Sequence, residues 1–473
     1  MTKEKLKKIY ITVFIVVLVT LSGFYFLAGD AFKYRDSRYN IVSSEGNTAT
    51  EEIDYGITVT QSFYNKIDRL KSVSFRITTF YRQNSGHLSV YLYDGETLLM
   101  QEKVDISNLE EGQYVTLESD KYLEDLVGKE LTLVIKSSSP ADKGIALLMD
   151  RGSKTGTSLK VGNTYKTGSL AFNVYGQEYI FTGQVYWIVA GIIWVIVGIM
   201  LIVSYRRFLN HRLDYLSIGI KAVENYKFLI SQLVIRDFKI KYKRSVLGIF
   251  WSFLNPLLTM TVQYIVFSTM FRSEINNYAV YLLVGIICYS FFNEVTSMSL
   301  QSISGNANLI KKVYMPKYIL PLSRTLSSSV NLLISLIPLL LISLITGVHF
   351  HLSMILMIYF LLCLIVFALG VGMFLSALNV FFRDIQFLWT VVVMMWMYAT
   401  PIFYSPSIIP EKFSFILNIN PLYHFIKNIR MCIIDGVSPG PRSYAFCFGF
   451  ALLSLAIGSF VFKKEQDKFT LYL

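Results

Sequence analysis

Eight apolar runs, each about as long as a membrane-crossing helix, limit how this chain can fold more than any other feature. A bilayer core about 30 Å thick is crossed by roughly 20 residues in helical form. Charged residues make up only 16% of the chain and apolar residues 53%, a balance that a water-soluble fold could hardly bury or solvate. The sequence therefore predicts a polytopic, all-α membrane protein. The runs occupy residues 9–29, 181–205, 246–271, 278–300, 325–346, 353–379, 386–404 and 443–462.

Residues 30–180 are different, because they contain no apolar run of membrane length. They carry 17 Lys and Arg against 21 Asp and Glu. Apolar and polar residues alternate in KSVSFRITTF, HLSVYLY and LTLVIK, and Asn, Gly, Ser and Pro separate these stretches. A two-residue period with such turn residues is typical of β-strands. About eight strands of this kind predict a jelly-roll-like β-sandwich.

The distribution of Lys and Arg predicts the orientation of the chain in a cytoplasmic membrane. Residues 1–8 contain four lysines, and residues 206–244 contain ten Lys and Arg against three acids. Because such residues accumulate in cytoplasmic loops, both termini (1–8 and 463–473) are expected in the cytoplasm and residues 30–180 outside it. The first run is longer than the apolar core of a cleaved signal peptide, although either interpretation exports residues 30–180. Because the Lys and Arg residues cluster beside the apolar runs, nucleic acid is not expected as a partner of this chain, despite its net charge of +12.

Few residues indicate chemistry inside the membrane. No metal or redox spacing surrounds the four cysteines, so the sequence predicts no metal site. His349 and His351 are expected in an exposed turn. Glu294 is the one carboxylate inside a predicted span, which makes it a functional hypothesis. Exposure to water or a hydrogen bond to a neighbouring helix explains it equally well.

The basic stretch 206–245 includes a segment, 224–248, with apolar residues on one side and cations at helical spacing. Such a helix lies in the membrane surface. Its cations are candidates for binding anionic lipid headgroups or a diphosphate-linked substrate, each charge contributing roughly 1 kcal/mol. A plain positive-inside anchor remains the alternative. The candidates are Arg236, Lys239, Lys243 and Arg244.

Two further segments are interrupted by proline. In the loop 304–324, Pro316 and Pro321 are expected to bracket a rigid basic knuckle facing the cytoplasm, and an ordinary loop is the alternative. Within residues 401–442, Pro401, Pro406, Pro410 and Pro421 interrupt an apolar sequence, which favours re-entrant or interfacial half-helices over one straight helix.

Four motifs carry a resemblance to a known family. RDFKIKYKRSVLGIFWSFLNPLL, NLIKKVYMPKYILPLS, LNVFFRDI, and TPIFYSPSIIP followed by NINPLYHFIKNIR occur in this order. Together they resemble the ABC-2 type permeases that export O-antigen and teichoic acid. The resemblance covers residues 206–473, with a six-span core at 246–462, and the preceding 205 residues depart from the usual family plan. It implies a permease subunit that exports a lipid-linked cell-surface polysaccharide or a teichoic-acid-like polymer.

The same resemblance implies the partners. The chain has no G-x-x-x-x-G-K-[S/T] loop, so ATP and Mg are expected on a separate ATPase subunit and no cofactor on this chain. Two copies of the chain and two ATPases are implied, and residues 401–434 would gate the outer mouth. Arg383 and Asp384 would mark a cytoplasmic end between spans. The residues implied to dock into the ATPase are Asn306, Leu309, Ile310, Lys311, Lys312, Met315 and Pro316.

Aromatic faces suit sugar rings that must slide past, although most aromatic residues in membrane spans only pack or lie at interfaces. The candidates for the translocation path are Trp251, Phe253, Tyr264, Tyr289, Phe292, Tyr398, Phe403, Tyr404 and Tyr423. Tyrosines of the soluble segment could bind carbohydrate, although alternating tyrosines are usually core. These candidates are Tyr81, Tyr91, Tyr93, Tyr165 and Tyr175.

Other functions remain open at this point. An ABC-2 exporter of a glycolipid, drug or peptide is one alternative. A membrane sensor with an external carbohydrate-binding domain is another, but a sensor should end in a cytoplasmic signalling domain, and only eleven residues follow Phe462. A membrane glycosyltransferase is disfavoured because the sequence has no Asp-x-Asp metal-binding pair.

Overall fold

A computed structural model describes residues 3–40, 46, 48–151, 158–210, 215–243, 245–271, 275, 277–312 and 315–472. These residues divide into two compact units. Residues 33–184 form the first unit, and the described residues on either side of them form the second. The first consists mainly of strands and the second of helices.

The first unit is a sandwich of two antiparallel sheets. One sheet has the strand order β1-β13-β4-β9-β12, with β2 also paired to β9 and β7 to β4, and the other has the order β11-β10-β3-β8-β5-β6. The strands are β1 (Tyr34–Asn40), β2 (Thr48–Ala49), β3 (Thr58–Tyr64), β4 (Arg69–Thr78), β5 (His87–Asp94), β6 (Thr97–Asp105), β7 (Tyr114–Leu123), β8 (Glu130–Ser137), β9 (Ala146–Asp150), β10 (Ser158–Val161), β11 (Thr164–Lys166), β12 (Ser169–Leu170) and β13 (Phe172–Tyr179).

Side chains from both sheets fill the space between them. Phe63 of β3 and Phe172 of β13 are fully buried, with ring centroids 5.0 Å apart. On β5, Leu88, Val90 and Leu92 are buried and their neighbours are not, which is the alternation that the sequence showed. The predicted sandwich is therefore confirmed. The described residues contain thirteen strands rather than about eight, because strands of two to four residues are too short to show a period.

The second unit is helical. Its long helices and their short connectors are α1 (Lys3–Leu27), α2 (Gly29–Lys33), α3 (Phe181–Leu209), α4 (Tyr215–Tyr242), α5 (Phe250–Phe271), α6 (Tyr278–Leu300), α7 (Ala307–Lys312), α8 (Ile319–Ile345), α9 (Met357–Phe381), α10 (Ile385–Ala399), α11 (Ser414–Ile419), α12 (Pro421–Arg430), α13 (Pro441–Glu465) and α14 (Phe469–Tyr472).

Among the described residues, seven helices are long and apolar enough to cross a membrane, namely α1, α3, α5, α6, α8, α9 with its preceding turn, and α13 with its continuation. The remaining predicted run, 386–404, is the shorter apolar helix α10 of 15 residues. At 1.5 Å per residue it is about 22 Å long. It ends at Ala399 because Pro401 forces Thr400 into an extended conformation, with φ −109° and ψ 126°.

The helices differ in how they are covered. Helix α6 is buried along most of its length and forms the centre of the unit, whereas α5 and α10 leave most of their apolar side chains uncovered. Helices α9 and α13 approach closely because Gly370 and Gly458 face each other. A Cβ atom added at Gly458 would lie 2.1 Å from the carbonyl oxygen of Gly370.

The helices that flank the soluble unit pack on the end of this bundle. Phe24 of α1 lies 4.9 Å from Tyr444 of α13, edge to face, and Tyr186 of α3 donates a hydrogen bond to the Leu21 carbonyl at 2.6 Å. Nearer the other end, Tyr10 and Ser204 form a buried hydrogen bond of 2.5 Å.

The proline-rich segments form short helical pieces. Within residues 401–442 the structure has 3-10 turns at Pro406–Ile408 and Glu411–Phe413, helices α11 and α12, and a π-helical turn at Met431–Asp435. The predicted knuckle is shorter than 304–324. Pro321 does not end it but lies in the first turn of α8, where a missing N–H is tolerated.

Candidate functional site

The short helix α7 and the 3-10 turn before it have one buried side and one basic side. Asn306, Ile310 and Met315 are buried, the latter two in a small core with Phe462 and Phe469. These three predicted docking residues therefore anchor the helix. The side chains left for a partner are those of Lys311 and Lys312, which are exposed, with Leu309 and Pro316 half-buried beside them.

A buried carboxylate links this helix to α4 and α8. Asp237 of α4 is 1% exposed, and its Oδ1 lies 2.7 Å from Arg324 Nη1 and 3.3 Å from Arg236 Nη2. Arg236 also donates through Nη1 to Asn306 Oδ1 at 3.3 Å. These polar contacts join the turn before α7 to α4 and α8. They could not be predicted from the sequence, because Asp237 is one of three acids among ten basic residues and its partner Arg324 is 87 positions away.

Three of the four predicted headgroup ligands lie together. Arg236, Lys239 and Lys243 line a cavity of about 680 Å³ on α4, with Tyr242 at its side. Neither lysine forms an ion pair with any carboxylate in the part of the chain that the structure describes. Arg244 lies outside the described residues. The cavity therefore presents cations that are free to hold an anion.

Glu294 is held by a neighbouring helix and by α4. Its Oε1 accepts hydrogen bonds from Asn331 Nδ2 at 2.8 Å and Ser328 Oγ at 3.2 Å, both on α8. Lys241 Nζ lies 2.9 Å from the same oxygen. Of the explanations open from the sequence, the bond to a neighbouring helix is the one observed, and an ion pair accompanies it.

The aromatic residues predicted to line a path fall into two groups. The rings with uncovered surface are those of Trp251, Phe253, Tyr264, Tyr398, Tyr404 and Tyr423. Tyr289, Phe292 and Phe403 are buried instead, and Phe292 packs 5.3 Å from the ring of Trp396. Tyr289 and Phe292 are buried because α6 lies at the centre of the bundle, and Phe403 stacks 5.5 Å from the ring of Phe267. Sequence position alone could not separate the two groups.

Arg430 is buried without a carboxylate partner among the described residues. Its guanidinium donates to three backbone carbonyls: Tyr281 at 3.1 and 2.9 Å, Pro401 at 2.7 Å and Ile402 at 2.9 Å. It also lies 3.3 Å from the centre of the Tyr281 ring. Gly285 leaves room for it, since a Cβ there would lie 2.8 Å from Nη2. Arg430 therefore fastens the break after α10 to α6.

The tyrosines predicted to bind carbohydrate occupy different positions on the β-sandwich. Tyr81 and Tyr165 are exposed by 89% and 76%. Tyr91 and Tyr93 lie on the face of β5 that is turned away from the core of the sandwich. Both are half-buried, and their ring centroids are 6.2 Å apart. Tyr175 is half-buried beneath Arg38 at 5.0 Å. The five residues therefore form no single surface cluster that their contacts define.

The loop that carries Tyr81 is held in an unusual conformation. Phe80 and Tyr81 have φ angles of 56° and 54°, which bulky residues rarely adopt. Glu111 accepts hydrogen bonds from the Thr79 amide and hydroxyl at 2.8 Å each. Burial alone would raise the pKa of Glu111, but hydrogen bonds from Thr78, Thr79 and the Tyr81 amide outweigh it and hold the pKa below its usual value.

No group of three or more residues suited to hold a metal ion occurs in the described ranges.

Comparison with known proteins identifies relatives of the helical unit. Residues 229–434 match the family described as ABC-2 type transporter. The chain is 32% identical over 255 residues to an O-antigen export system permease protein, RfbA, of Klebsiella pneumoniae, covering 98% of that protein and 53% of this chain. RfbA of Myxococcus xanthus is 27% identical over 252 residues, with 97% of it covered. The polysialic acid transport protein KpsM of Escherichia coli is 23% identical over 250 residues, with 96% covered.

Proposed function

Because this chain belongs to the ABC-2 type transporter family, we propose that it is the permease subunit that exports a lipid-linked cell-surface polysaccharide or a teichoic-acid-like polymer. The observation that carries the proposal is the 32% identity to an O-antigen export permease over 98% of that protein's length. The chain is an integral membrane protein and a transport permease rather than an enzyme, and its family works with a separate ATPase.

The partner ATPase binds ATP and Mg and docks on the basic side of α7. Lys311 and Lys312 offer two exposed cations there, while Ile310 and Met315 hold the helix from behind. The ion pair between Asp237 and Arg324 then carries the movement to α4 and α8.

The lipid-linked substrate is recognised first by its diphosphate. The cavity with Arg236, Lys239 and Lys243 provides the charge for this, and it lies on an amphipathic helix of the type that rests in the membrane surface. An anion there can neutralise two lysines that have no ion pair within the described part of the chain.

Two copies of the chain form the path between them. Helices α5 and α10 expose apolar and aromatic side chains that a second copy could cover, including Trp251 and Tyr398, exposed by 44% and 61%. Both chain ends lie in the cytoplasm, and residues 30–180 lie outside, where exposed tyrosines can meet the emerging glycan. Cysteine labelling from one side of the membrane tests this orientation, and labelling of position 311 from outside would refute it.

Depletion of the protein in its native cell tests the proposed function. We expect loss of the surface polymer together with accumulation of lipid-linked material on the inner face. Unchanged surface polymer would exclude the proposal, and loss of a glycolipid instead would assign a different cargo.

Docking is tested with two matched double variants. Lys311→Glu/Lys312→Glu should abolish co-purification of the ATPase, because it reverses the charge of the docking side. Lys463→Glu/Lys464→Glu makes the same change on two exposed lysines of α13 and should leave co-purification intact. Equal retention of the ATPase by both would contradict the docking model.

A further inference from the structure

A second cavity, of about 420 Å³, lies between α4, α5, α6 and α8. Its volume is within the range of about 300–1,000 Å³ that is usual for ligand pockets. Tyr242 lines this cavity and also the cationic cavity described above, so one side chain separates the two. The second cavity is not cationic, since Glu294 already pairs with its lysine, Lys241.

Glu294 presents one oxygen to this space. Its Oε1 accepts three bonds, from Lys241, Ser328 and Asn331, at 2.9, 3.2 and 2.8 Å. Its Oε2 accepts no hydrogen bond from any described residue. The carboxylate is thus fixed in position by one oxygen and open at the other.

Other polar side chains of the cavity are also unused. Asn255, Thr259 and Ser290 line it, and their side chains form no hydrogen bond with any residue in the described ranges. Trp251 adds an aromatic face that is 44% exposed. Asn255 and Ser290 are exposed and Thr259 is half-buried, so their polar atoms are available to an occupant of the cavity.

The chemistry of the unused groups indicates which occupant fits. A free carboxylate oxygen accepts hydrogen bonds and repels phosphate, while an amide and two hydroxyls both donate and accept. Hydroxyl groups of a ligand can bond to the carboxylate oxygen, to the amide and to both protein hydroxyls. A sugar ring can also lie on the indole of Trp251. A polyhydroxylated, uncharged group therefore fits this cavity, and an anion fits the neighbouring one.

We propose that this cavity binds the hydroxyl groups of the sugar that is attached to the lipid diphosphate, while the adjacent cationic cavity holds the diphosphate itself. The inference rests on the proposed function, because a lipid-linked saccharide is the molecule that brings these two groups together. Tyr242 lies where the bond between phosphate and sugar would pass.

Two probes test the inference on the complex of permease and ATPase in nanodiscs of phosphatidylcholine. One is a short polyprenyl diphosphate, and the other is the same lipid carrying a single N-acetylhexosamine. We expect the sugar to improve the dissociation constant about tenfold, or about 1.4 kcal/mol. Asn255→Leu and Glu294→Gln should reduce this gain while leaving the affinity for the sugar-free probe unchanged.

Two controls separate this cavity from its neighbour and from general damage. Thr261→Leu alters an exposed residue of α5 that bonds only its own helix, to the Leu257 carbonyl at 2.8 Å, and should keep the gain. Lys239→Ala/Lys243→Ala should weaken the binding of both probes equally, so the gain in affinity from the sugar should remain.

The possible outcomes distinguish the two proposals. If both probes bind the wild type with equal affinity, or if Asn255→Leu keeps the full gain, the inference is wrong and the proposed function stands. If neither probe binds, both the inference and the proposed function are wrong. Addition of phosphatidylglycerol, whose headgroup also carries hydroxyls, should leave the gain unchanged; its loss would show that a membrane lipid is the occupant instead.

Discussion

Replacement of Arg430 by methionine should open the segment after α10. The change keeps a long apolar stem but deletes a guanidinium that donates four hydrogen bonds to three backbone carbonyls. It also removes the cation above the Tyr281 ring. Since the carbonyls of Pro401 and Ile402 have lost their helix after Ala399, no helical N–H replaces the missing donors.

The size of the effect follows from the carbonyls of Pro401 and Ile402, because the Tyr281 carbonyl lies inside α6, where a helical N–H remains as its donor. A buried acceptor left without a donor costs about 1–3 kcal/mol. Deleting a buried charge recovers part of this cost, so we take the lower limit for each carbonyl, about 2 kcal/mol in total. Each 1.4 kcal/mol is a factor of about ten in an equilibrium constant, so local opening should increase about 30-fold.

Hydrogen–deuterium exchange of the purified protein measures this opening directly, because amide exchange reports local unfolding. Peptides from residues 399–409 should exchange about 30-fold faster in Arg430→Met, whereas peptides from α9 should not change. Arg430→Lys should give a smaller increase, since one ammonium cannot reach all three carbonyls. Lys427→Met is the matched control, because Lys427 is exposed on the same helix.

The argument fails if Arg430→Met and Lys427→Met exchange alike in residues 399–409. That result would mean that the segment is held by its packing and that the guanidinium contributes no net stability.

Three further expectations concern other parts of the molecule. Arg324→Gln should lower stability by about 3 kcal/mol, because it leaves the buried Asp237 without its 2.7 Å partner; thermal unfolding measures this, and an unchanged midpoint would contradict it. Gly458→Ala should cost about 1–3 kcal/mol because its Cβ meets a backbone carbonyl of α9 at 2.1 Å, whereas Gly449→Ala, with nothing within 4 Å, should be neutral or stabilising in the same assay. The pKa of Glu111 is lowered in the fold, so its contribution to stability is complete above the unfolded value of 4.5 and is lost as the pH falls through the lower folded pKa. Hydrogen exchange in residues 79–84, corrected for the intrinsic pH dependence of exchange, should therefore rise as the pH falls through that interval. Glu111→Gln should raise exchange in these residues at pH 7 and abolish its pH dependence.

The sequence predicted the elements that long patterns specify. The apolar run 278–300 coincides with α6, and the alternation around Leu88 and Leu92 reproduces the inward face of β5. Strands such as β2 and β12, with two residues each, carry no pattern and were missed. Their place is set by pairing with β9, which is a contact across the fold.

The candidate site was predictable only in part, for the same reason. Helical spacing brought Arg236, Lys239 and Lys243 together, because those residues lie on one helix. The role of Arg430 was not predicted, because the carbonyls that bind it lie 28, 29 and 149 positions away. Contacts between distant segments decide such roles, and no local spacing records them.

Helix α4 connects the docking side to both cavities, close to one of its ends. It has 28 residues and is therefore about 42 Å long at 1.5 Å per residue. Asp237 connects it to the docking side, and Tyr242, about 7.5 Å further along, forms the wall shared by the two cavities. Asp237 and Tyr242 thus lie near the same end of α4, so a tilt of about 10° about Asp237 would move Tyr242 by about 1 Å. A movement applied at Asp237 would therefore change both cavities together, and by a small amount.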